Sequence, residues 1–249
     1  MENCGKFSHP RTSSCSIARV LLPVGGGVKP SFVRTVYIMC NQKPVVFVVG
    51  DSISIHYGPF LEELLEGRFT YARKTGVGEA LKNLDIPEGA NGGDSAMVLA
   101  YVREKVLGGK WKPDVFLLNC GLHDIKRYRP DACQVPLDKY AANLKEIARL
   151  VAGESVKLAW IRTTPVVEHI HNSRSKDFKR YKEDVDAYND AADKVMRQLN
   201  VPIADLHGFT EAFGEAAFCD HVHFVPDVRQ KQARFLADFV SDLHQKGYF

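Results

Sequence analysis

The chain has 249 residues, 45% of them hydrophobic and 25% charged, with a net charge of +3 at pH 7. That length and mix suit one globular core and exclude a disordered or fibrous chain, and no run of about 18 apolar residues is present to span a bilayer. Residues 1–38 carry five basic side chains against one acid, which leaves the remainder near −1, so no nucleic-acid surface is expected on the folded part.

Residues 1–42 read as an N-terminal extension, flexible or without function. The segment is rich in Ser, Gly and Arg and nearly free of acids, but the charge inside its short apolar stretch at 17–24, broken by Arg19 and Pro23, and the lack of a clear small-residue cleavage site weaken a reading as a transit-type or secretory leader. Six cysteines (Cys4, Cys15, Cys40, Cys120, Cys133, Cys219) lack the paired spacings of a zinc site or a small disulfide scaffold. They read as free thiols of a reducing, cytoplasmic protein.

From Pro44 onward, short β-rich runs alternate with stretches of helical period. The chain order is strand 45–49, helix 60–66, strand 69–73, helix 95–107, strand 115–119, helix 137–152, strand 156–162, helix 181–199, strand 201–204 and helix 227–245. This alternation predicts an α/β fold over 43–249, a five-stranded parallel flavodoxin-like sheet with helices on both faces, three layers in all. Its active site belongs beyond the carboxyl ends of the strands. Two long connections, 125–136 and 164–178, fall at that end.

The chemistry-bearing residues sit at these strand ends. Val45-Val46-Phe47-Val48-Val49-Gly50-Asp51-Ser52 puts a hydroxyl just after a buried strand, beside free backbone N–H groups, where an acyl-transfer nucleophile and its oxyanion belong. Near the other end, Asp220-His221-Val222-His223 precedes the last helix. A neutral imidazole activates a serine hydroxyl near pH 7, and a carboxylate three residues earlier can orient its ring. His223 is preferred over His221 as that base. Asn91-Gly92-Gly93-Asp94-Ser95 lets backbone approach a ligand closely at a helix start.

Gly50-Asp51-Ser52-Ile53-Ser54, Gly93-Asp94-Ser95, Gly121-Leu122-His123-Asp124 and Asp220-x-x-His223 together resemble the four ordered sequence blocks of SGNH (GDSL-like) hydrolases. The resemblance covers about four-fifths of the chain and implies the SGNH hydrolase fold, with Ser52, Asp220 and His223 as the catalytic triad. It also implies an oxyanion hole from Ser52 N–H, Gly93 N–H and the third block. There the family carries Asn and this chain has His123, which as a neutral imidazole still has one N–H to donate. The implied activity is hydrolysis of short-chain carboxylic esters through an acyl-enzyme, such as deacetylation of a sugar, with no cofactor and no metal.

Three other readings remain open at this point. The same triad serves an acyltransferase. His123, Asp124, Asp220, His221 and His223 are candidate ligands of a hydrolytic zinc. A non-catalytic binding module can use the same sheet. The expected partner is a small-molecule or carbohydrate ester, with no nucleic acid and no membrane; the sequence gives no oligomeric state. Arg127, Arg129, His169, His171 and Arg174 in the two long connections are candidates to meet a polar alcohol, against the commoner role of solvated surface charge. Tyr57 and Phe60 are read as packing residues, and Asp205 and His207 as stabilisers of their loop.

Overall fold

The computed structural model describes residues 42–109 and 111–249. The expected extension thus lies, but for Gln42, outside the described residues, as do Cys4, Cys15 and Cys40. Five parallel strands, β1 (Val45–Val49), β2 (Thr70–Arg73), β3 (Val115–Leu118), β4 (Lys157–Ile161) and β5 (Ile203–Ala204), form one sheet in the order β2-β1-β3-β4-β5. This is the flavodoxin-like order expected from the alternation. All four residues of β3 are buried, as is β4 after its first residue, because helices cover both faces. Val46 pairs with Val115 and Leu117 with Ala159, so the central strands share one apolar core.

Eight helices are found among the described residues. Helix α1 (Ser52–Leu65) packs against α8 (Pro226–Gln245), while α3 (Ser95–Leu107), α4 (Leu137–Gly153) and α6 (Lys182–Gln198) pack in series, α3 on α4 and α4 on α6. The short helices are α2 (Val77–Ala80), α5 (Glu168–Arg174) and α7 (Leu206–Glu211), with a 3₁₀ turn at Glu215–Ala217. No helix among the described residues is long and apolar enough to cross a membrane.

Two elements differ from the sequence reading. Helix α1 starts at Ser52 and runs through Gly58-Pro59, a pair that signals a boundary. The Asp51 carboxylate caps it by accepting the Ile53 N–H at 2.9 Å, and its buried face of Ile53, Tyr57, Leu61 and Leu65 packs on the core, which outweighs the one backbone hydrogen bond lost at Pro59. The connection read as a loop over 164–178 contains α5, a single polar helix of seven residues.

The strand order reverses between β1 and β3. Ser52 follows β1 and Gly121–Asp124 follows β3, so the first and third blocks flank this switch point, where ligands bind in open α/β sheets.

Candidate active site

Each side chain of the site is placed by a local necessity of the backbone. After β1 the chain turns at Gly50, where an added Cβ would lie 2.8 Å from Ser54 Cβ. Ser54, in place of a second elbow glycine, donates from its hydroxyl to Asp51 O at 2.7 Å and tightens the same turn. Ser52 thereby becomes the first residue of α1, and its N–H has no partner inside the helix. Gly92 N–H donates to Gly50 O at 2.8 Å, tying the second block to this turn.

Ser52 Oγ lies 2.8 Å from His223 Nε2, and His223 Nδ1 lies 2.7 Å from Asp220 Oδ2. The other oxygen, Asp220 Oδ1, accepts the backbone N–H groups of Val222 (2.8 Å) and His223 (2.7 Å). Burial opposes charge on Asp220, but hydrogen bonds from the His223 ring and these two amides outweigh it and hold the carboxyl well below its usual range. An ionised carboxylate only accepts, so Nδ1 carries the proton and Nε2 turns a lone pair to the Ser52 hydroxyl. His56, one helical turn after Ser52, sets its ring edge-on against His223 at 5.0 Å between centroids. Burial, with Arg229 and His223 adding to it, lowers His56 to about 4, so it borders the relay as a neutral ring.

The expected oxyanion donors are unequal. Gly93 N–H donates to Asn91 Oδ1 at 3.0 Å, so it can serve an oxyanion only as a shared donor. His123 is 2% exposed, and its ring makes no hydrogen bond to another described residue. Burial, and then the positive charges of Lys126 and Arg180, push it well below the usual histidine range and keep it neutral. Asp124, a conceivable partner for that ring, accepts Ser95 N–H instead at 2.9 Å, and burial raises it to about 8. Asn119 is committed to Ile161 O at 2.9 Å.

His221 is turned away from Ser52. Its Nε2 lies 3.1 Å from Asp85 Oδ2 and its Nδ1 lies 3.0 Å from the buried His171. Asp220, His221 and His223 offer ligand atoms within 4.8 Å of one another, but both nitrogens of each ring already face a partner, and His123 and Asp124 are not in that group. Of the connection residues, Arg127 makes a bidentate pair with Asp184 (2.8 and 2.6 Å), His169 lies 3.4 Å from Glu215, and Arg174 donates to Asp220 O at 3.0 Å. His207 Nδ1 meets Thr163 O at 2.8 Å, and Asp205 caps α7 and pairs with Arg162, so both hold their loop. Tyr57 is core, and Cys120 is a buried free thiol whose pKa is raised by burial.

Sequence reasoning missed His56, Asp85, Lys126 and Arg180. Only His56 left a signal, its spacing of four residues from Ser52 on one helical face.

A family model described as GDSL-like Lipase/Acylhydrolase matches residues 46–236. No curated protein matches the chain. Among solved structures it is similar to an acetyl xylan esterase, AlAXEase, at 15% identity and TM-score 0.59, covering 79% of this chain and 99% of that one. A lipase/acylhydrolase from Enterococcus faecalis gives 14% and 0.61, covering 79% and 95%. A psychrotrophic esterase EstA from Pseudoalteromonas sp., inhibited by monoethylphosphonate, gives 11% and 0.58, covering 82% and 100%. At such identities the likeness is one of fold.

Proposed function

Because the chain belongs to the GDSL-like lipase/acylhydrolase family, we propose that it hydrolyses short-chain carboxylic esters, with Ser52 as nucleophile, His223 as general base and Asp220 as the carboxylate that orients it. The observation that carries this reading is the continuous relay from Ser52 Oγ through His223 to Asp220, with contacts of 2.8 and 2.7 Å. Ser52 Oγ attacks the ester carbonyl while Nε2 takes its proton. The resulting imidazolium is stabilised by Asp220 and returns the proton to the leaving alcohol. Water then repeats the sequence on the acyl-enzyme. Ser52 N–H and His123 are the principal donors to the oxyanion, with Gly93 N–H sharing.

Small polar esters such as acetylated sugars suit a site beside which stands the polar helix α5, tied to Asp220 O through Arg174. One structural relative whose name specifies a substrate is an acetyl xylan esterase.

The test is turnover of p-nitrophenyl esters from acetate to palmitate by wild type and Ser52→Ala. The reading requires preference for the shortest chains and a loss of at least about 10⁴-fold in the variant. Activity persisting in Ser52→Ala, or preference for palmitate, contradicts it.

A further inference from the structure

Arg180 precedes α6 at the carboxyl end of the sheet and is 2% exposed. Its Nε donates to Leu122 O at 2.7 Å, immediately before His123, and its guanidinium lies 4.8 Å from the centre of the Phe178 ring. Nη1 is buried and has no hydrogen-bond partner. Lys126 is also buried, with its ammonium 4.4 Å from the centre of the same ring, and it donates at 2.7 Å only to a backbone carbonyl, that of Asp85. The Asp85 carboxylate is engaged by His221.

Among the described residues neither cation is ion-paired, although Arg127 nearby in the chain has a bidentate aspartate. Burial lowers Arg180 to about 10, against the partial support of Asp85 and Asp51, and burial followed by the charge of Arg180 lowers Lys126 to about 8, which leaves each charged at pH 7. Asp85 and Asp51 support both cations only through space, and two buried cations with no directly paired carboxylate, one of them with an idle N–H, are costly to a fold unless an anion joins them. They stand beside the third block, where the ester carbonyl of a bound substrate would sit, and their charge is felt by Asp51 and His123.

We propose that Arg180 and Lys126, held on Phe178 beside the Gly121–Asp124 turn, form a subsite for an anionic oxygen group, a carboxylate, phosphate or sulfate, carried by the ester substrate itself. The proposal rests on the esterase reading above and adds to it the charge of the substrate. Arg180 Nη1 supplies the directed donor and Lys126 a second positive charge.

The experiment compares kcat/KM for charged and neutral members of two pairs. In 4-acetoxybenzoate against its methyl ester the anion is on the alcohol side, and in monoethyl succinate against ethyl butanoate it is on the acyl side. Preference for the charged member of one pair by on the order of tenfold to hundredfold is expected, and that pair identifies the side. In Arg180→Gln the charged-to-neutral ratio should collapse toward one, and Lys126→Gln should reduce it. A purely structural role would lower both rates together and leave the ratio intact. No preference in wild type for either pair overturns the proposal, as does a ratio unchanged in Arg180→Gln. If Arg180→Gln does not fold, Lys126→Gln and Arg180→Lys decide by the same ratio. Hydrolysis of the neutral esters that depends on Ser52 but shows no charge preference removes this inference alone, whereas hydrolysis independent of Ser52 removes the esterase reading.

Discussion

His123→Ala tests the oxyanion hole where it departs from its family. Gly93 N–H is shared with Asn91 and Asn119 is held by Ile161, so the proposed hole leans on Ser52 N–H and one imidazole N–H. The His123 ring is neutral at working pH and has a single proton to give. Losing one such donor costs about 10²–10³ in kcat, or ~2.7–4 kcal/mol at the transition state, whereas an ordinary neutral hydrogen bond is worth about 1 kcal/mol, roughly fivefold. The gap between those figures makes the experiment decisive. Removing a buried ring also leaves a cavity worth about 2–4 kcal/mol of stability, or a fall in Tm of roughly 5–15 °C at this size, so rates must be read well below the new midpoint. With p-nitrophenyl acetate at pH 7–9, His123→Ala should lose at least about 100-fold in kcat with KM nearly unchanged, the pattern of a contact made only in the transition state. His123→Asn, which restores the family amide, should recover at least about tenfold of that. A kcat for His123→Ala within about fivefold of wild type, measured on folded protein, would refute the assignment.

Two further outcomes follow from the charges around the relay. Asp220→Asn places an amide where Nδ1–H needs an acceptor, which favours the tautomer with its proton on Nε2, facing Ser52; kcat should fall about 10³–10⁴-fold, and a loss under tenfold would remove Asp220 from the relay. Asp124 binds its proton more tightly folded, at about 8, than unfolded, at about 3.9. The native state therefore holds the extra proton between those values, and this group's contribution to stability is full below about pH 4 and is lost as pH rises toward 8. Replacement by Asn should remove a slope of up to about 1.4 kcal/mol per pH unit from the urea-derived stability between pH 4 and 8, and an unchanged slope would show that Asp124 is not its source.

The sheet was legible because its strands are short apolar runs separated by helical periods, a pattern that local sequence carries in full. The run over 45–49 and the helix over 95–107 are found with the same bounds. The start of α1 was not legible, since the Gly58-Pro59 signal is local while the packing of Ile53, Tyr57 and Leu61 that overrides it is tertiary. The site divides in the same way. Ser52, Asp220 and His223 converge because turns after β1 and before α8 present them, and short motifs mark those turns. Asp85, Lys126 and Arg180 come from three separate connections and meet only when the loops fold over the sheet, so no spacing announces them.

The two ends of the Ser52–His223 contact are 171 residues apart, and the second lies just ahead of α8, which packs on α1. During synthesis the serine and its strand emerge long before the histidine exists. The hydroxyl that leaves the ribosome first is thus an ordinary alcohol, and it meets the imidazole proposed as its base only when α8 closes on α1. On the proposed mechanism, a chain clipped ahead of His223 carries the whole nucleophile turn with no base beside it, so the arrival of the His223 turn on the first helix times the onset of chemistry.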